Sequence, residues 1–190
     1  MVKNLFKRTF MKGIVFVKFN EFIEELWGEE FWDELLDEAE LPSEGVYTTV
    51  GTYDDQELFT LIGLVVDKQN ISAKDVQLAF GKWVFKKFYN IAPAFAHDFK
   101  DVFEFLFAVQ DIIHDEVKKM NPDALCPKFD FLSETPNQLS FHYQSPRKLC
   151  FFCEGIIYGL AEHTGQKIKV SQSECEHEGC QRCVLVVEKV

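Results

Sequence analysis

The sequence is poor in the residues that loosen or break a chain, with only ten glycines and six prolines in 190 residues. That scarcity excludes collagen-like and low-complexity classes, and 47% apolar residues suffice for one substantial core. No apolar run is long enough to span a membrane as a helix, so no membrane insertion is expected. A P-loop, a glycine-rich nucleotide loop and a Ser/His/Asp arrangement are all missing, so the chain is expected to act by binding and not as an enzyme. Basic residues are outnumbered, 20 Lys and Arg against 31 Asp and Glu, for a formal net charge of −11. Such a balance disfavours nucleic acid and anionic membranes and suits a basic partner. The opening residues, Met1 to Phe10, are basic but carry neither an apolar h-region nor a small-residue cleavage site. They read as an N-terminal extension, with a single domain expected over 11–190 in the cytoplasm, where its cysteines stay reduced.

What is plentiful is phenylalanine, at twenty residues. Phe-rich cores are common, but so many aromatic faces also suit a pocket for a large, flat, apolar ligand. The hydrophobic period is helical from Met11 to about Asn70, with Phe16, Phe19, Ile23 and Leu26–Trp27 on one face and amphipathic helices over 30–41 and 54–68. Ser72 to Asp75 reads as the start of a helix reaching Tyr89, interrupted at Pro93, and a long helix follows from Asp98 to Met120. The period then changes: strands are predicted over 128–133, 138–144, 167–174 and 182–188, with a helix over 148–163. This predicts an α+β fold: a helical N-terminal half packed on a C-terminal half with a mostly antiparallel sheet and a crossing helix.

Two features carry chemistry. His114 lies on a stripe with Phe103, Phe107, Gln110 and Val117, so its imidazole is expected to point inward among apolar side chains. Downstream, Tyr143, Ser145 and Arg147 alternate, and in an extended segment they would present a phenol, a hydroxyl and a guanidinium to one side. That row is a grip for carboxylates, and with one imidazole and an apolar pocket it suggests bound haem. The second feature is a group of cysteines: Cys150 and Cys153, Cys180 and Cys183 form two C-x₂-C pairs, with Cys175 and His177 before the second. In a reducing compartment this spacing signals zinc, expected on Cys150, Cys175, Cys180 and Cys183 with Cys153 or His177 as substitutes. A disulfide or redox role is the next reading and inert buried thiols the third.

On Met11-Lys12-Gly13, the helix of His114, Pro127 and Tyr143-x-Ser145-x-Arg147, the chain resembles the haem–nitric oxide/oxygen-binding (H-NOX) family over about 180 residues. The resemblance implies haem b between the two halves, with His114 as the proximal iron ligand. It also implies that Tyr143, Ser145 and Arg147 hold the propionates and that Pro127 distorts the porphyrin. Oxygen-binding members have a tyrosine five residues past the arginine; here that place is Phe152, and the other implied distal positions, Phe19 and Val84, are apolar too. Without a hydrogen-bond donor, NO and CO are favoured over O₂. The family further implies a partner in trans, a histidine kinase or a cyclic-di-GMP synthase or phosphodiesterase, and in some members a C-terminal zinc site. Oxidation of the thiols that ejects zinc would be a second, redox input. The competing expectations are a haem-free, zinc-stabilised regulatory domain taking an acidic apolar molecule at Arg147, and a thiol switch at Cys150 and Cys153.

Overall fold

The computed structural model describes residues 9–92, 97 and 99–190. Residues 1–8 of the expected extension, and Pro93 and Asp98 at the expected helix boundaries, lie outside the described residues. The chain divides into two compact units, Met1–Ala73 and Lys74–Val190.

The first unit is helical, with a short two-stranded ribbon. Strand β1 (Phe10–Lys12) pairs antiparallel with β2 (Thr52–Asp54), an element that the helical period did not reveal. Helices α1 (Gly13–Trp27), α2 (Glu29–Glu38) and α3 (Asp55–Gln69) follow the apolar stripes closely. Phe16, Phe19, Phe22 and Ile23 of α1 are buried because they recur on one face. Gly13, third residue of the Met-Lys-Gly opening, has a steric reason: a β-carbon there would sit 1.9 Å from the carbonyl oxygen of Thr48. The aromatic ring of Phe16 stacks on Tyr47 at 4.5 Å, and buried Glu57 accepts hydrogen bonds from Ser43 and Tyr47, closing the loop between α2 and β2 onto α3.

The second unit contains α4 (Ala73–Ile91, all but its first residue), α5 (Val102–Ala108), α6 (His114–Met120), α7 (Cys150–Thr164) and a four-stranded antiparallel sheet. Its strands β3 (Lys128–Thr135), β4 (Gln138–Gln144), β5 (Ile168–Glu174) and β6 (Cys183–Lys189) lie in the order β3-β4-β6-β5. The period-2 pattern explains the core face: Leu139, Phe141 and Tyr143 of β4 are buried opposite Val187, Leu185 and Cys183 of β6. The architecture is α+β, helices first and antiparallel sheet second.

Helix α7 packs on α4 at backbone distance. A β-carbon on Gly81 would lie 2.2 Å from the Phe152 carbonyl oxygen, and one on Gly155 would lie 2.3 Å from that of Leu78. At Gly159 it would meet the Phe85 β-carbon at 2.6 Å and the Lys82 carbonyl oxygen at 2.7 Å. A helical glycine ordinarily costs about 1 kcal/mol relative to alanine, and here it is required by the neighbouring backbone.

Gly155→Ala is therefore expected to lower the unfolding free energy by about 2 kcal/mol or more, because the methyl group meets backbone that cannot rotate away. Gly63→Ala, in α3 with nothing within 4 Å of the new atom, should instead raise it by roughly 0.5–1 kcal/mol. Urea denaturation of the two variants, followed by tryptophan fluorescence, checks the opposite signs.

Candidate functional site

The helix leading to His114 begins on a polar anchor. Asp101 caps α5, accepting the amide N–H of Phe103 at 2.8 Å, the side-chain amide of Gln166 at 2.9 Å and the Lys189 ammonium at 2.7 Å. Gln166 in turn accepts the N–H of Val102 at 2.7 Å, so the start of α5, the turn after α7 and the end of β6 are tied together. Burial alone would raise the Asp101 pKa, but the hydrogen bonds from Lys189, Gln166 and the two amides outweigh it and hold the carboxyl at about 2.

The long helix expected through His114 is not uniform. Between α5 and α6 lies a π-helical stretch, Val109–Ile113, a wider turn that ends immediately before His114. Phe103 is buried, while Phe107, Gln110, His114 and Val117 of the expected stripe are half-buried. The His114 ring meets Phe129 edge-on at 5.7 Å, and its Nδ1 is buried without a hydrogen-bond partner among the described residues. Burial, with a smaller push from Lys118 and an opposing pull from Asp115, lowers its pKa to about 4. The imidazole is thus neutral at physiological pH, the state that donates a lone pair to a metal. A neutral, half-buried imidazole with a buried, unpaired nitrogen fits the ligand of a haem iron.

The three clamp residues are brought together in a different way from a straight row. β4 ends at Gln144, and a turn follows in which the Lys148 N–H donates to the Ser145 carbonyl at 3.1 Å. Tyr143 is buried within the strand, Ser145 is half-buried at its end, and Arg147 is half-buried in the turn. Burial pushes the Tyr143 phenol far above its ordinary pKa, although a hydrogen bond with Ser145 opposes this. It therefore stays protonated and can donate. Arg147 Nη1 donates to the Leu125 carbonyl at 2.8 Å, engaging one of the five guanidinium N–H groups and tying the turn to the segment that carries Pro127. Pro127 is half-buried just before β3.

Of the positions implied to be distal, Phe19 and Val84 are wholly buried and Phe152 is half-buried. Phe152 lies 5.2 Å from the ring of Phe80, which is one helical turn before Val84 on α4. None of the three side chains carries a hydrogen-bond donor.

The cysteines divide sharply. The sulfur atoms of Cys150, Cys175 and Cys183 lie within 4.8 Å of one another and all three residues are buried, with Cys150 and Cys175 at 3.9 Å. Burial, reinforced by the neighbouring thiols Cys183 and Cys175, raises the Cys150 pKa far above its ordinary value, as expected of thiols crowded without a cation to balance them. Cys153 is buried but outside this trio, and Cys180 is exposed beyond the short 3₁₀ turn Glu176–Glu178. His177 is exposed too, its Nε2 within 2.7 Å of the Lys148 carbonyl and its ring stacked on Phe151 at 5.2 Å. Sequence reasoning missed Asp101, Gln166 and the role of Gln110. An aspartate immediately before an apolar helix is an N-cap signal that could have found the first.

A family model described as Haem-NO-binding matches residues 12–172. The chain belongs to that family, the H-NOX domains, which are non-catalytic haem sensors of gases. It is similar to an H-NOX protein from K. algicida solved in the Fe(II) unliganded state, with 30% identity, 95% of this chain and 97% of that one covered, and a TM-score of 0.88. An H-NOX protein from S. oneidensis in the Fe(II)NO state is 32% identical, with 95% and 99% covered and a TM-score of 0.87. The H-NOX domain of Shewanella oneidensis in the Fe(II)CO state is likewise 32% identical, with 95% and 99% covered and a TM-score of 0.83. Among the described residues, no helix is long and apolar enough to cross a membrane.

The anchor of α5 gives a pH test. Asp101 has a folded-state pKa of about 2 against an ordinary 3.8, so its stabilisation is present above pH 3.8 and lost as pH falls through 2. Asp101→Ala should cost about 1 kcal/mol at neutral pH through the lost cap. The gap between wild type and variant should narrow between pH 4 and pH 2 in parallel denaturant titrations.

Proposed function

We propose that this chain is a sensor of nitric oxide that uses His114 as the proximal ligand of haem b and regulates a partner signalling protein. The observation that carries the reading is the neutral, half-buried His114 imidazole with an unpartnered nitrogen, placed at the end of an irregular helix in a Haem-NO-binding chain. Bound haem supplies a ferrous iron with one open position for a diatomic gas. Tyr143, Ser145 and Arg147 are the residues to hold its propionates: the phenol stays protonated, and the guanidinium offers charge-assisted, planar donors. Pro127, fixed between Arg147's contact and β3, is the residue to press on the porphyrin.

Phe152 and Val84, both in the second unit, set the gas preference. O₂ takes up negative charge on binding and needs a donor for it, whereas NO and CO do not. His114 would be the proximal ligand whose hold on a bound haem sets the position of α6, and α6, which has no buried residue, would be free to move on its release. A histidine kinase or a cyclic-di-GMP enzyme is the class of partner that would read this motion. The S. oneidensis relatives were solved in Fe(II)NO and Fe(II)CO states, which supports the choice of gases.

The buried trio Cys150, Cys175 and Cys183 is the proposed zinc site, with Cys180, Cys153 or His177 as fourth ligand. Three converging thiols suit tetrahedral zinc, whose charge would lower their pKa values and make the crowding favourable. The site joins the start of α7 to the two sides of the β5–β6 connection, a structural staple whose oxidation provides a second input.

Two measurements check these assignments. Phe152→Tyr places a donor on the apolar side and should strengthen O₂ binding about tenfold or more, read by stopped-flow dissociation from the reduced protein. Unchanged O₂ affinity would remove Phe152 from the gas selection. Metal analysis of reduced protein should find stoichiometric zinc, lost in Cys150→Ser. Zinc retained in that variant would show that the buried trio is not the site.

A further inference from the structure

We propose that Gln110 is a positioning residue that holds His114 in place through Phe129, so that one backbone hydrogen bond governs how readily His114 lets go. The inference rests on the reading of His114 as the iron ligand. It starts from an imbalance along this stretch of chain. On one side α5 is tightly held by the Asp101, Gln166 and Lys189 network, and Val102, Phe103, Phe105, Leu106 and Ala108 are buried. On the other side neither the π-helical stretch nor α6 contains a buried residue. Beyond residue 108 packing continues through the half-buried Val109 and Ile113 against the core but holds the helix less firmly, yet His114 must be aimed with care.

The side chain of Gln110 supplies what packing does not. Its Oε1 accepts the N–H of Phe129 at 2.7 Å, joining the π-helical stretch to β3. Phe129 is itself fixed: buried, paired with Tyr143 across the β3–β4 ladder, and 4.8 Å from the ring of Phe141. The same Phe129 ring meets the His114 imidazole edge-on at 5.7 Å. Gln110 and His114 thus reach one residue of the sheet from positions four apart on the helix, the first by its amide and the second by its ring. A weaker contact, from the Cys126 sulfur to the His114 carbonyl at 4.0 Å, is the other tie in this region. A wide π-helical turn also has a ready alternative, since closing it to α-helix rotates everything beyond it by one residue. The hydrogen bond to Phe129 opposes that closure for as long as it lasts. When His114 is released, the strain falls on this bond, and motion of the helix passes to β3 and to Tyr143 beside it.

The test compares Gln110→Leu, which removes the acceptor, with Gln110→Glu, which keeps one, in the full haem-loaded chain. Two quantities are read: hydrogen exchange of the Phe129 amide by NMR, and the rate of His114 release after mixing with NO, followed in the Soret band. In Gln110→Leu both should rise, roughly fivefold to tenfold, the equivalent of one lost hydrogen bond. Gln110→Glu should return both toward wild type. Faster exchange with an unchanged release rate would overturn the proposal, as would unchanged exchange. Failure of Gln110→Glu to restore the rate would assign the effect to lost packing and overturn it as well. If the leucine variant does not fold, Gln110→Asn, too short to reach Phe129, provides the same comparison. Wild type without a Soret band would remove the haem reading beneath the proposal, a failure seen before any variant is compared.

Discussion

Helices α4 and α7 touch through their backbones, and the rest of the C-terminal unit is arranged around that contact. Gly81, Gly155 and Gly159 leave no room for side chains where the helices meet, so the position of α7 along α4 is set by hard contact with carbonyl groups. The consequence for chemistry is direct. Phe152, whose carbonyl faces Gly81, is placed beside Phe80 and within a turn of Val84. Cys150, two residues earlier, turns to the sheet and meets Cys175 and Cys183. One rigid pairing thereby serves an apolar wall on one side of α7 and a thiol cluster on the other.

Against that rigid pair, the helix of His114 is held unevenly. Its first half is anchored by charge-assisted hydrogen bonds and fully buried apolar residues, and its second half by half-buried Val109 and Ile113 with no fully buried residue. Such a gradient is what a binding-coupled motion requires, because elements that move are drawn from the weakly held end of a structure. The electrostatics agree with the proposed roles: burial makes the imidazole neutral and keeps the Tyr143 phenol protonated, a lone-pair donor and a hydrogen-bond donor respectively.

Much of this was legible in the sequence, and the limits have physical causes. Strand β4 falls where alternation placed it, over 138–144, because one face is buried and period-2 patterning is then enforced. The helices α1, α3 and α7 follow their stripes for the same reason. The glycine contact was not legible, since a glycine inside a helix reads as a propensity cost and its benefit depends on a partner helix distant in sequence. The π-helical stretch escaped because apolar spacing assumes a constant period. The clamp was found as residue types but not as geometry: the chain turns after Gln144, so alternation ceases to describe where Arg147 goes. Among the cysteines, spacing could not distinguish buried Cys183 from exposed Cys180, because a 3₁₀ turn and the end of β6 decide which sulfur faces inward.

The central claim is a buried, neutral His114 on one side of a haem and a donor-free wall on the other. It is tested most directly by the absorption spectrum of the reduced, haem-loaded protein under argon, in air and with NO. The account predicts a Soret band that is the same in air as under argon and that shifts with NO to the position of a complex lacking the histidine ligand. A stable oxygen complex in air, or a reduced, gas-free spectrum unaffected by His114→Gly, would contradict it.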